Sequence, residues 1–344
     1  MISAAAVDAR DPGRIISGVR LIVRRLATAA LLFWLVLSIT FVLLRAAPGD
    51  AAALLVPPTA TSADAARLRA ELGLDAPLAV QYARWLGSVL TGDLGESFAY
   101  SRPVTALIAE ALPVSLALGG VSLALTFVVG IAIGIVQAAR RGAGVDTALT
   151  IATTTVYAAP SYWLALTLIA VFTYGAARWG FPPALRLPAF GMRDAGLELS
   201  GFAALFDLVR HAILPVAVLA AIGAAGVARY ARSSVADVMA SDFVRTARAK
   251  GLAPGAVYGR HVLANALPPL VILFALTLPG VVAGSVFVES VFAWPGMGRL
   301  MLGAIAARDY PVVMGATLVY AAIVIIANLA ADLALPWLDP RRSP

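Results

Sequence analysis

Apolar runs long enough to cross a bilayer alternate along this chain with polar stretches punctuated by proline and glycine. The first run, Leu26 to Leu44, has nineteen residues and no charged side chain. As a helix it spans roughly 29 Å, close to the ~30 Å hydrocarbon thickness of a bilayer. Runs from Leu112 to Ala139, Thr147 to Tyr174, His211 to Ala228, Leu267 to Val288 and Val312 to Leu335 repeat the pattern. The expected fold class is all-α, a polytopic membrane protein with six transmembrane helices. A cleavable signal peptide competes for the first run, but its apolar core is normally only about 7–15 residues.

Several runs carry interruptions. Pro160 lies within the third run, Pro215 interrupts the fourth, and Pro279-Gly280 in the fifth predicts a locally loosened helix. Gly130-x-x-x-Gly134, with Gly119 and Gly120, offers the small residues that let membrane helices approach closely. Tyr162-Trp163 sits deep enough to line a cavity or to pack, and the sequence leaves both open.

The polar stretches differ in character. Residues 45–111 contain the breakers Pro48-Gly49-Asp50 and Pro57-Pro58, a helical pattern from Ala63 to Leu72, and a second from Pro77 to Leu90 that puts Tyr82 and Trp85 on one side. Gly92 to Ser97 then reads as a tight turn. Residues 176–210 and 289–311 form two further polar loops. Residues 229–266 are basic and carry a short helix of their own. Ser241 suits its N-cap, Asp242 the positive end of its dipole, Arg248 and Lys250 the negative end, and Gly251 its terminator. Phe243 and Ala247, four apart, share one face, and Arg245 and Arg248, three apart, share another. The spacing predicts a small knob with an aromatic tip and basic flanks.

Composition settles the solvent. With 61% hydrophobic and 13% charged residues among 344, the chain carries more apolar surface than a water-soluble protein can hide. The net charge of +7 comes from arginines scattered between apolar runs, so topology explains it better than nucleic acid does. With both termini cytoplasmic, 15 of the 26 Lys and Arg fall in the shorter inside segments, as the positive-inside tendency requires. That tendency alone also accounts for a basic loop at 229–266.

Chemistry is sparse. There is no cysteine, which excludes disulfides and thiolate metal sites. Lys250 is the single lysine and is followed by Gly251 and Leu252, so no phosphate-binding G-x-x-x-x-G-K-[ST] loop exists. If ATP drives this protein, another chain binds it. The span cores hold essentially no ionisable residues, which argues against a secondary transporter or channel. The two histidines, His211 and His261, read as structural, leaving no catalytic constellation, no metal site and no cofactor site.

The segment Arg245-Thr-Ala-Arg-Ala-Lys-Gly251-Leu, followed by Asn265-Ala-Leu-Pro268-Pro269, resembles the coupling loop of ABC-importer permeases of the peptide/nickel family, first-permease branch. Leu43-Leu-Arg45, Pro48-Gly-Asp50, Leu72-Gly-Leu-Asp75, Gly92-Asp-Leu-Gly95, Glu289 to Gly298, Arg308-Asp-Tyr-Pro311 and Leu338-Asp-Pro-Arg341 are similar to that family's motifs in order and spacing. The resemblance implies the type I ABC importer fold in the bacterial cytoplasmic (inner) membrane. It divides the chain into a cytoplasmic segment 1–25, a first span 26–44, an extracytoplasmic loop 45–111, a core 112–335 with a cytoplasmic coupling loop 229–266, and a cytoplasmic tail 336–344. It further implies a second homologous permease as heterodimer partner, two cytoplasmic ATP-binding subunits and an extracytoplasmic solute-binding protein. Asp242, Phe243, Arg245, Thr246, Ala247, Arg248 and Gly251 become the residues expected to meet an ATPase subunit, with Phe243 and Ala247 supplying the buried contact. Arg245-Thr-Ala stands where importers at large carry Glu-Ala-Ala, a form common in this branch. Di- and oligopeptides are the implied cargo; nickel, glutathione, opines and sugars remain alternatives, and the residues lining the path are not legible.

Overall fold

The computed structural model describes residues 12–46, 61–71, 73, 75–194, 196, 198–278, 280 and 286–338. The breakers Pro48 to Asp50 and Pro57-Pro58, together with Pro279 and the tail beyond Leu338, lie outside the described residues. Among those described, everything regular is helical except an isolated bridge between Glu96 and Pro103.

Helix α1 (Pro12–Ala46) contains the first apolar run. Two short helices follow, α2 (Ser62–Glu71) and α3 (Leu78–Leu90). Thr61 opens α2 by a reciprocal cap: its N–H donates to Asp64 Oδ2 at 2.9 Å, and the Asp64 N–H donates to Thr61 Oγ1 at 3.3 Å. α3 docks on α1 through the aromatic face legible in its sequence. Phe41 stacks on Trp85 at 5.5 Å and meets Tyr82 edge-on at 5.3 Å, while Tyr82 OH and Ser38 Oγ lie 2.7 Å apart.

The centre of the bundle is a pair of long helices, α4 (Val104–Ala139) and α7 (Gly201–Met239). Their contact explains the glycine spacing. A Cβ on Gly134 would lie 2.5 Å from the Ala231 Cβ, one on Gly130 would lie 2.7 Å from the Val227 Cβ, and one on Gly223 would meet Thr126 Oγ1 at 2.6 Å. Only hydrogen fits at these positions, so the glycines make room for the Ala231, Val227 and Thr126 side chains of the facing helix and the two helices approach closely.

Between these helices the third apolar run departs from its expected single span. It breaks into α5 (Gly144–Ala158) and α6 (Ser161–Ile169), and the two directions differ by 105°. The cause is local: Ala159 precedes Pro160 and takes the extended conformation (φ −74°, ψ 133°) that a proline imposes on its predecessor. α6 continues through a π turn, Ala170–Gly175, which ends below the loop that Thr173 Oγ1 holds by donating to the Leu187 carbonyl at 2.7 Å.

After α8 (Asp242–Ala249), a π turn over Val257–Leu263 leads into α9 (Ala264–Thr277). The chain closes with α10 (Val286–Val291), α11 (Met297–Ala306) and α12 (Tyr310–Leu338). Five helical stretches among the described residues are long and apolar enough to cross a membrane, and the bent α5–α6 pair makes a sixth.

Candidate functional site

The α8 knob is set at the end of α7 by a two-residue break. Ser241 takes an extended conformation (φ −72°, ψ 150°) at the N-cap position, but its side chain makes no capping bond. Its Oγ instead donates to the Val238 carbonyl at 2.5 Å, which also accepts the Ser241 N–H at 3.1 Å, so both bonds close the end of α7. The expected cap is thus an α7 terminator. Gly251 closes α8 as its sequence suggests. With φ +75° it lets the Gly251 N–H donate to Arg248 O at 2.9 Å and the Leu252 N–H to Ala247 O at 3.4 Å, the paired bonds of a Schellman ending.

The helical spacing predicts Phe243 and Ala247 on one outward face, and the structure corrects this. Val244 and Ala247 turn inward together, three residues apart, into a cluster with Ala138, Val235, Val257, Val262 and Ala266. Ala247 is 5% exposed, while Phe243 is 45% exposed at the rim. Two small apolar side chains fit beneath the π turn; a phenyl ring does not share that face. Asp242, Arg245, Thr246, Arg248 and Lys250 all face solvent. Arg245 reaches Asp242 Oδ1 at 3.3 Å, an exposed pair worth at most about 0.5 kcal/mol.

Bracing beneath the knob is extensive. Ser234 Oγ donates to the Ala266 carbonyl at 2.9 Å, and Tyr258 OH lies 3.4 Å from Met239 Sδ. One turn back along α7, Arg232 donates to Asp146 Oδ2 at 2.8 Å, and the Gly142 N–H donates to the same oxygen at 3.0 Å. The Arg229 guanidinium stands 4.1 Å from the Tyr157 ring centroid. α5 is therefore tied to α7 near both of its own ends.

At the other end of the bundle two carboxylates are fully buried, and spacing gave no sign of either. Glu289 accepts from Ser115 Oγ at 2.6 Å, the Gly298 N–H at 2.7 Å and the Arg299 N–H at 3.3 Å, so it anchors the N-terminus of α11 to α4. Asp309 accepts from Ser97 Oγ at 2.5 Å and the Ala99 N–H at 3.0 Å, joining the turn before α4 to the start of α12. Partners 174 and 212 residues apart leave no local pattern, although both acids stand in segments singled out as motifs. His211 is also less isolated than its sequence suggests: it is buried beside Asp207 and Asp194. Between α4, α7 and α9 lies a cavity of about 430 Å³ edged by Ser122, Thr126, Ser161, Gly223 and Thr277, with no charged group among its lining.

Two family models cover most of the chain. Residues 130–344 match the binding-protein-dependent transport system inner membrane component, and residues 18–119 match the N-terminal region of that transport-system membrane component. The oligopeptide transport system permease protein AppB of Bacillus subtilis is 38% identical over 88% of this chain and 92% of its own length. The probable D,D-dipeptide transport system permease protein DdpB of Escherichia coli is 36% identical over 88% of this chain and 91% of its own. Among solved structures, an inward-facing MetNI methionine ABC transporter chain aligns with a TM-score of 0.51 at 19% identity, covering 68% of this chain and 97% of that one, a likeness of fold. With its helices, its coupling-loop motif and these matches together, the chain belongs to the family of inner-membrane components of binding-protein-dependent transport systems.

Proposed function

We propose that this chain is the translocation subunit of a peptide ABC importer in which α8 is the element an ATPase subunit grips. One observation carries the reading: α8 buries its apolar stripe within its own chain and still presents Phe243, flanked by basic side chains, to solvent at the tip. A half-exposed aromatic on a rigidly braced helix is an anchor for a partner's pocket. The relatives named for oligopeptide and D,D-dipeptide transport make peptide the favoured cargo, and the uncharged cavity between α4, α7 and α9 suits a path whose selectivity is set by a separate binding protein. The working assembly contains this chain, a second permease of the same family, two cytoplasmic ATP-binding subunits and an extracytoplasmic solute-binding protein, with both termini of this chain in the cytoplasm. ATP hydrolysis belongs to the partners, because this sequence has no phosphate loop.

Closure of the ATPase pair would draw α8 with it, and the Arg232–Asp146 tie would pass that movement to α5 and α7. Arg245 and Arg248 orient docking, and Gly251 permits the turn that presents the knob. The test is ATP-driven uptake into proteoliposomes holding the complete assembly, with a dipeptide and oligopeptide mixture and, separately, nickel. Peptide uptake that collapses in a Phe243→Ala, Arg245→Ala double variant, and hydrolysis uncoupled from uptake in Gly251→Val, are the expected results. Nickel uptake without peptide uptake overturns the cargo; undiminished peptide uptake in the double variant overturns the coupling role.

A further inference from the structure

We propose that Asp194, Asp207 and His211 form a divalent-cation site of the zinc type at the end of α7 remote from α8. The inference rests on geometry and not on the transport assignment. Their ligand atoms lie within 4.8 Å of one another, with Asp207 and His211 buried and Asp194 half exposed on the preceding loop. The imidazole is oriented as a ligating histidine is. Its Nδ1 lies 2.9 Å from the Asp207 backbone carbonyl, which only accepts, so the Nδ1–H is committed there and Nε2 is the ring nitrogen left to face an ion. Nε2 has no hydrogen bond; it points at Asp194 Oδ1, 3.7 Å away. That distance is too long for a hydrogen bond and near the ~3.4 Å that separates two ligands held tetrahedrally about 2.1 Å from one zinc ion.

Charge makes the same case. Asp207 is buried, its Oδ2 accepts the Asp194 N–H at 3.0 Å, and its Oδ1 stands 3.3 Å from the ring Nδ1. Among the described residues no arginine or lysine nitrogen forms an ion pair with either carboxylate. Arg210, adjacent to His211, is turned away, donating to the carbonyls of Arg186 at 2.8 Å and Pro183 at 3.4 Å. Two carboxylates thus flank the imidazole with no basic side chain paired to them, and one of them, Asp207, is buried, where charges are ordinarily paired or coordinate a metal. A nitrogen-and-oxygen donor set without thiolate fits zinc and its neighbours in the first transition row. Two ligands on one such ion span at most ~4.2 Å, so binding draws the set inward, and exposed Asp194 is the member free to move. The ion would fasten the loop carrying Asp194 to α7, and water completes the coordination on the exposed side.

The experiment uses the intact, nucleotide-free transporter, treated with chelator, re-equilibrated with zinc chloride and desalted. Zinc is counted by mass spectrometry, and thermal unfolding is followed with and without saturating zinc. Wild type should retain one more zinc per copy of this chain than Asp194→Asn, and Asp194→Asn should bind at least tenfold more weakly. Zinc should raise the unfolding temperature of wild type by several degrees while leaving Asp194→Asn and His211→Gln unmoved. Asp194 is half exposed, so its variant keeps the apo unfolding temperature even if His211→Gln loses the fold. Equal zinc content in wild type and Asp194→Asn, or no thermal response in wild type, overturns the site and leaves a plain hydrogen-bonded triad.

Discussion

The two ends of this bundle put their buried polar groups to different use, although each also has an apolar cluster, at the far end one that includes Val104, Leu107, Met297 and Val312. Around α8 the cohesive contacts are small and apolar, Val235, Val244, Ala247, Val257, Val262 and Ala266, and the charged side chains of the knob turn outward. At the far end cohesion runs through Glu289 and Asp309, both fully buried and each serving several donors from distant parts of the chain. A buried carboxylate with every donor in place specifies one geometry, because any shift strands several polar groups at once. The apolar stripe of α8 holds the knob, while the polar ties beneath it come from α7, so the charged side chains of α8 itself stay unspent on core contacts. The α8 face is therefore left free for another molecule, while the far end is locked against itself.

Breaking the polar lock should have the largest effect. Glu289→Ala strands Ser115 Oγ and the N–H groups of Gly298 and Arg299, and is expected to cost about 3–5 kcal/mol. It should show as a lower unfolding temperature and lower membrane abundance of the assembled transporter. An unchanged unfolding temperature would mean that the carboxylate does not hold α11 in place. Next comes the close approach of α4 and α7. Gly134→Leu forces a side chain into a 2.5 Å gap and should cost about 1–3 kcal/mol, whereas Gly120→Ala, which meets nothing within 4 Å, should be silent in the same unfolding assay. Equal behaviour of the two variants would remove packing as the reason for the Gly130-x-x-x-Gly134 spacing. The smallest change in stability is expected at the tip: Phe243→Ala should stay within about 0.5 kcal/mol of wild type and still abolish most ATP-driven uptake. A clear loss of stability there would make Phe243 a structural residue and erase the contrast between the two ends.

Much of the fold was legible because bilayer thickness imposes a length on apolar runs, and four of the six expected spans lie within long helices; the fifth, expected from Leu267 to Val288, instead has its long apolar stretch at Val257–Thr277, starting ten residues earlier. The third run escaped that logic. Pro160 was read as lying within a single span, yet its effect on Ala159 breaks that run into two helices 105° apart, a local backbone effect that hydropathy does not encode. The knob itself was legible from Asp242 to Gly251, down to the left-handed glycine. Its inner and outer faces were not. Counting four residues from Phe243 to Ala247 ignored Val244, which with Ala247 forms the stripe the π turn covers. Glu289 and Asp309 depend on residues brought together by tertiary structure, so no spacing in the chain announced them; Asp207 and His211 are four apart on one helix, a spacing that was there to be read, and only Asp194 joins them through the fold.

The central claim, that the outer rim of α8 is a partner surface while its inner stripe is core, has a direct test in single-cysteine crosslinking. The chain contains no cysteine, so Phe243→Cys and Val244→Cys can each be introduced alone and the assembled transporter exposed to a short bifunctional thiol reagent against a cysteine on the ATPase subunit. Phe243→Cys should crosslink to that subunit, and the crosslink should block uptake, while Val244→Cys, buried in this chain, should stay unreactive. Crosslinking at Val244→Cys equal to that at Phe243→Cys, or none at Phe243→Cys in an assembly that still transports, would contradict the account.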